Sequence, residues 1–168
     1  MGRGPVAGPV CVGCFGYKQS DEEFLKNQLE GMRDSKKLTD KKKDVLFEKI
    51  KELKKEGVIF STVSCLSASK IDSTGISKCL QQCVDKSVKT VSQNAIEPVK
   101  VYLDGGLKTT LGLEQETVIK GDDSHFCISA ASVVAKVLRD RGMIKMGEKY
   151  PEYGFENHKG YGLSLIHI

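Results

Sequence analysis

Two aspartates stand where carboxylates could act on a shared cation. Asp104 closes a stretch in which apolar and polar residues alternate up to Leu103, and Gly105-Gly106 turns the chain away behind it. Asp122 lies in Lys120-Gly121-Asp122-Asp123, between the extended piece Thr117-Val118-Ile119 and a long apolar helix pattern. A carboxylate at a strand end and another just before a helix N-terminus can converge on one ion, and hard oxygen ligands of this kind suit Mg²⁺. The same positions also suit a turn aspartate at 104 and a helix-capping aspartate at 122 or 123. Spacing alone favours that plainer reading.

The elements that must hold these residues can be read in order. MGRGPVAGP is too rich in glycine and proline to start a strand or helix. Its Gly2, Arg3 and Gly4 could bring bare backbone amides and a forked guanidinium close to a phosphate. Val10–Tyr17 is predicted to be a strand, and Ser20–Gly31 a short amphipathic piece. Thr39 is a good N-cap for a helix running to about Glu56, with Gly57 as its stop. Leu46, Phe47, Ile50 and Leu53 line one side of that helix and lysines cover the other, a face usually just solvated. Val58–Leu66 is β-branched and strand-like. Ser73–Ser92 returns to helical period, and Val99–Leu103 is the next strand. Asp123 or Ser124 is expected to cap the long helix that follows. Its small residues Ser129, Ala130, Ala131 and Ser132 allow a close approach to a sheet. Asp140, between Arg139 and Arg141, is expected to be an ion-pair partner rather than a metal ligand. Tyr150-Pro151 ends the helix, and YGFENHKGYG is loop-like.

With 168 residues, 39% of them hydrophobic and 29% charged, the chain is long enough for one domain with a real core. Its net charge of +4 fits either sign of partner. No apolar run approaches the length of a membrane span and no secretory leader is visible, so the expected compartment is the cytoplasm. Six cysteines invite a metal or disulfide reading. Cys11 and Cys14 form a CxxC, and Cys79 and Cys83 lie one helical turn apart, so a zinc module is one possibility. Buried free thiols are the expected state, and disulfides are not expected in a chain without a secretory signal.

Taken together, GRGPVAGPV, DSKKLTDKKK, VYLDG, KGD, SAASVVAKVLRDR and YPEYGFENHKGYG resemble, in that order, the bacterial ribonuclease HII family (type 2 ribonuclease H). The resemblance spans Gly2 to Gly162. It implies an α/β ribonuclease H-like fold, a mixed five-stranded sheet flanked by helices. It also implies an endoribonuclease that cuts the RNA strand of RNA–DNA hybrids and cuts at single ribonucleotides in duplex DNA, leaving 3′-hydroxyl and 5′-phosphate ends. Mg²⁺ or Mn²⁺ is the implied cofactor, two ions in the intact family site, and the implied state is a monomer. By resemblance Asp104 and Asp122 become metal-binding and catalytic, two of four carboxylates. Gly2, Arg3 and Gly4 match a loop that senses the ribose 2′-hydroxyl and phosphate, the hydroxyl being the group that marks a ribonucleotide. Tyr161 matches a tyrosine that packs on the following deoxyribose. Lys36 and Lys37 match backbone contacts.

The chain departs from the family pattern at both ends. The family places Asp-Glu and one small or apolar residue before Gly-Arg-Gly. Here Met1 stands just before Gly2, so that pair and the first strand are missing from this chain. Met1 is therefore expected to be an internal residue of a longer protein, leaving residues 1–162 as a catalytic domain truncated at its N-terminus. The closing LSLIHI, residues 163–168, is what a transposase sequencing adapter translates to, and is expected to be an adapter-derived tail. Two carboxylates cannot replace four around two ions. The chain as it stands is expected to be impaired in cleavage and poorly stable. The alternative is a non-catalytic nucleic-acid-binding protein of the same fold.

Overall fold

The computed structural model describes residues 4–32, 38–96 and 98–162. Its first strand, β1 (Val10–Tyr17), alternates side chains between two faces, as the two-residue period of a strand requires. Phe15 and Tyr17 join one apolar cluster, while Val10, Val12 and Cys14 face two others. Helices α1 (Glu22–Gln28) and α2 (Asp40–Lys55) follow. As the sequence predicts, the Thr39 hydroxyl caps α2 by accepting from the Lys42 N–H at 3.3 Å, and Gly57 beyond its end adopts a φ of +75°. Strand β2 (Ile59–Leu66) pairs antiparallel with β1.

The predicted helix at 73–92 is two helices, α3 (Ala68–Thr74) and α4 (Ile76–Ser92). They break at Gly75, whose φ of +87° lies outside helical space. Strand β3 (Lys100–Asp104) pairs in parallel with β4 (Glu114–Val118). A parallel pair needs its connection to run back along the strand. Here that return is pinned to α4: Asp85 accepts from the Thr109 hydroxyl at 2.8 Å and from the Thr110 N–H and hydroxyl, both at 2.9 Å.

The four-residue helix α5 (Gly121–Ser124) leads into α6 (Phe126–Lys149), a 24-residue rod about 36 Å long. The cap of α6 differs from expectation. His125 occupies that position without a side-chain cap, because Asp123 and Ser124 are spent in α5. α6 ends at Tyr150-Pro151 as predicted, and α7 (Phe155–His158) is a single turn inside the stretch read as loop.

α6 lies across β1, and its small residues do permit the close approach: a Cβ on Gly13 would stand 2.2 Å from the Ala131 carbonyl oxygen. With α1 and α2 it buries Phe15, Leu25, Phe47, Ile50, Phe126 and Val133. Each such side chain contributes roughly 1.5–3 kcal/mol. α4 covers β3 through Val84, Val88, Val101 and Leu103.

The fold is α/β; where the resemblance implies one mixed five-stranded sheet, the four strands of the described residues form two separate pairs, β1–β2 and β3–β4. Between them lies a cavity of about 980 Å³, lined by β1, β3, α4 and α6. Among the described residues no helix is long and apolar enough to cross a membrane.

The cysteines correct the sequence reading. Cys11 and Cys65 form a disulfide across β1 and β2. Antiparallel register sets them opposite each other with Cα atoms 4.2 Å apart, a pairing across 54 residues that spacing along the chain does not reveal. The bond also takes Cys11 out of the CxxC available to zinc. Cys14, Cys79, Cys83 and Cys127 are free thiols, as expected of them.

Candidate nuclease site

Asp104 ends β3 with its side chain exposed, and Asp122 sits buried in α5. Gly121 lies 17 positions beyond Asp104 along the chain, yet the Asp104 Oδ1 accepts the Gly121 N–H at 3.0 Å. The next residue is Asp122, so the first carboxylate fixes the backbone that carries the second. Lys120 adopts a φ of +53° to make the turn, and a Cβ on Gly121 would clash with Ile128 at 2.4 Å. From the other side the Ser129 hydroxyl of α6 donates to the Asp122 carbonyl. Strand, short helix and long helix thus meet at these two aspartates.

Both aspartates line the cavity, together with Gly4 and Tyr161. Gly4 and Tyr161 also approach each other: a Cβ on Gly4 would lie 4.0 Å from Tyr161 Cε1. Four of the residues singled out in the sequence, far apart along the chain, are therefore gathered on one surface. Gly2, Arg3, Lys36 and Lys37 lie outside the described residues. Cys14 and Cys127 line the same cavity, where burial pushes the Cys14 thiol up to about 12, helped by the neighbouring Cys127, and the Cys127 thiol up to about 11. They are packing groups rather than nucleophiles.

Tyr161 stands at the end of a loop after α7 and has a cationic neighbourhood. The Lys136 ammonium lies 5.4 Å from its ring centroid and the Arg139 guanidinium 5.8 Å. Asp140 is an ion-pair partner, as the sequence predicts, though not of the arginines that flank it. It pairs with Lys136 at 2.7 Å, because one helical turn brings residue 136 alongside it. Arg141 turns outward to Asp44 and Glu48 of α2, and Arg139 turns inward. Sequence reasoning missed Arg139 and Ser129 as supports of the site. The available signal was the four-residue spacing Ala135, Arg139, Met143, which sets a charge on a buried stripe.

Asp104 and Asp122 supply hard oxygen donors of the type Mg²⁺ and Mn²⁺ prefer, and this donor set fits one such ion completed by water or phosphate oxygens. Among the described residues, no group of three or more histidine, cysteine or carboxylate side chains clusters as a metal site. The two described carboxylates therefore fall short of the four that the resemblance implies for two ions.

The family model described as Ribonuclease HII matches residues 1–164. A ribonuclease HII from Sulfurovum is 42% identical over 162 residues, covering 96% of this chain and 76% of that protein. The ribonuclease H2 structure from Pyrococcus horikoshii superposes with a TM-score of 0.75 at 27% identity, over 98% of this chain and 79% of that one. Bst-RNase HIII in complex with Mn²⁺ shares the fold at a TM-score of 0.72 and 19% identity, over 89% of this chain and 52% of that one. With Gly4, Asp104, Asp122 and Tyr161 lining one cavity and the match running over nearly its whole length, the chain belongs to the ribonuclease HII family of nucleases, hydrolases whose activity is on RNA–DNA hybrids.

Proposed function

We propose that residues 1–162 form a catalytic domain that cuts the RNA strand of hybrids and cuts at single ribonucleotides embedded in duplex DNA, leaving 3′-hydroxyl and 5′-phosphate ends. The observation that carries this reading is the convergence of Gly4 and Tyr161, which belong to the substrate-contact motifs, with Asp104 and Asp122 on one cavity. A carboxylate pair beside a bare glycine backbone and a half-exposed aromatic ring suits a sugar–phosphate chain. The backbone can approach a 2′-hydroxyl, and the ring offers a flat apolar face to the next sugar.

Asp104 and Asp122 would hold a divalent ion, Mg²⁺ or Mn²⁺. When bound, such an ion activates a water and stabilises charge on the phosphate. The protein's own part is positional. Asp104 orients the Asp122 backbone through Gly121, and Ser129 holds it from behind. Two-ion chemistry needs further carboxylates beyond those two. The proposed partners are RNA–DNA hybrids and ribonucleotide-containing duplex DNA, acted on by a monomer in the cytoplasm.

The test is incubation of this chain with a duplex carrying one ribonucleotide, in Mg²⁺ and in Mn²⁺, with product ends mapped on a sequencing gel. Cleavage on the 5′ side of the ribonucleotide, leaving a 3′-hydroxyl, supports the reading. Specific binding without cleavage would leave recognition in place and show that two carboxylates do not suffice.

A further inference from the structure

The loop that carries Gly4 and the loop that carries Tyr161 belong to opposite ends of the chain, and one buried cation joins them. Arg139, in the middle of α6, is only 2% exposed. Its Nε donates to the Pro9 carbonyl at 3.0 Å, its Nη2 to the Ala7 carbonyl at 3.1 Å and its Nη1 to the Lys159 carbonyl at 2.9 Å. The same guanidinium lies under the Tyr161 ring. The two loops also bond directly, since Val6 N–H and Ala7 N–H both reach the Gly160 carbonyl, at 2.9 and 3.3 Å.

Glycines make the contact possible. A Cβ on Gly160 would stand 2.3 Å from the Ala7 carbonyl oxygen, and one on Gly8 would stand 2.4 Å from Met143 Sδ and 3.3 Å from Arg139 Nη2. Both have positive φ. A buried charge is costly unless hydrogen-bonded, and here three backbone carbonyls take that role. A salt bridge would have fixed Arg139 to one side chain, whereas three carbonyls on two loops fix those loops to each other.

We propose that Arg139 is a positioning residue for substrate discrimination: its guanidinium clasps the Gly4 loop to the Tyr161 loop and sets the spacing of the two contacts that distinguish a ribonucleotide from its neighbours. This rests on the reading of Gly4 and Tyr161 given above. The planar fork matters as well as the charge. Lysine has the charge but presents a single ammonium, which cannot span three carbonyls in one plane.

The experiment compares wild type with Arg139→Gln, Arg139→Lys and Gly160→Ala. Gly160→Ala pries the loops apart while leaving the arginine in place. Binding to a duplex with one ribonucleotide and to the same duplex in all-DNA form is measured by fluorescence anisotropy, and backbone amide exchange is followed in parallel. We expect the ratio of the two affinities to fall about tenfold or more in all three variants, as a misplacement of about 1 Å can cost that much. Exchange should accelerate at Val6 and Ala7 while the β1–β2 ladder stays protected. An unchanged ratio with Val6 and Ala7 exchanging freely would overturn the proposal. So would recovery by Arg139→Lys, or a ratio that falls only when ladder protection falls too. A wild-type protein that does not discriminate at all would overturn the reading of Gly4 and Tyr161 themselves, and the amide data would then report a purely structural clasp.

Discussion

The Asp104 carboxylate and the Gly121 backbone N–H are joined by a 3.0 Å hydrogen bond, so a metal-binding candidate also serves as a strut for its neighbour, Asp122. The two roles separate by substitution. Asp104→Asn keeps an acceptor for Gly121 and removes the charge, whereas Asp104→Ala removes both. Mn²⁺ affinity, followed by isothermal titration or electron paramagnetic resonance, should weaken about tenfold in Asp104→Asn, a loss of about 1.4 kcal/mol. It should weaken further in Asp104→Ala. Equal affinities in wild type and Asp104→Asn would remove Asp104 from the ligand set.

The Tyr161 ring is expected to work through its face rather than its hydroxyl. Tyr161→Phe should retain the preference for a ribonucleotide followed by DNA, and Tyr161→Ala should lose about tenfold of it, about 1.4 kcal/mol of sugar packing. A competition assay between junction and all-RNA substrates measures this. Loss in the phenylalanine variant would shift the role to the hydroxyl.

Asp85 anchors the return loop between β3 and β4, and its environment gives a pH dependence. Burial raises its pKa, but the bonds from Thr110, Thr109 and Gln81 together outweigh that and hold it below the ordinary carboxylate value. A depressed folded pKa stabilises the fold above the unfolded value of about 3.9, and that contribution is lost as pH falls through the folded value. Asp85→Ala should cost about 2 kcal/mol at pH 7. For a domain of this size that is a fall in Tm of roughly 4–8 °C. Thermal melts at pH 7 and pH 3 check this: the gap between wild type and variant should narrow at the lower pH. A gap that widens on acidification would contradict it.

The Cys11–Cys65 disulfide closes a long loop, so reduction should destabilise the protein by on the order of 4 kcal/mol on the loop-entropy estimate. Calorimetry with and without dithiothreitol reads the difference. Cys14 and Cys127, raised to about 12 and about 11 largely by burial, should resist iodoacetamide at pH 8 until the chain unfolds. Rapid labelling of either in the folded state would place it on an accessible surface instead.

Within the described residues, β1 pairs only with β2 and β3 only with β4, which leaves each with an edge whose backbone groups can accept another strand. Heating should therefore lead to aggregation, seen as turbidity that grows with protein concentration. Clear, reversible melts at every concentration would count against this.

Much of this arrangement is legible in local sequence. Alternation marked β1 and β3, Thr39 and Gly57 bounded α2, and the aspartates at 104 and 122 fell at element ends where their side chains could meet. What escaped was what depends on register and distance across the fold. Cys11 and Cys65 are partners only because two strands align residue for residue. Arg139 and Arg141 look alike in Leu-Arg-Asp-Arg, yet a turn of about 200° about the helix axis sends one inward to three carbonyls and the other to the surface of α2. Asp85 gave no signal, since its partners arrive from a loop 24 residues away.

Helix α6 holds Asp122 in place at Ser129 and the Tyr161 loop at Arg139. Ten residues of unbroken helix separate the two grips, a run of about 15 Å along the axis. On the proposed reading the helix is a ruler between the carboxylates that would hydrolyse and the tyrosine that would read, graduated in steps of about 1.5 Å and about 100°. One residue added or removed between 129 and 139 would throw the two grips out of phase, even if the core closed over the change. Variation in this domain should be tolerated before the first grip and after the second, but hardly at all in the length between them.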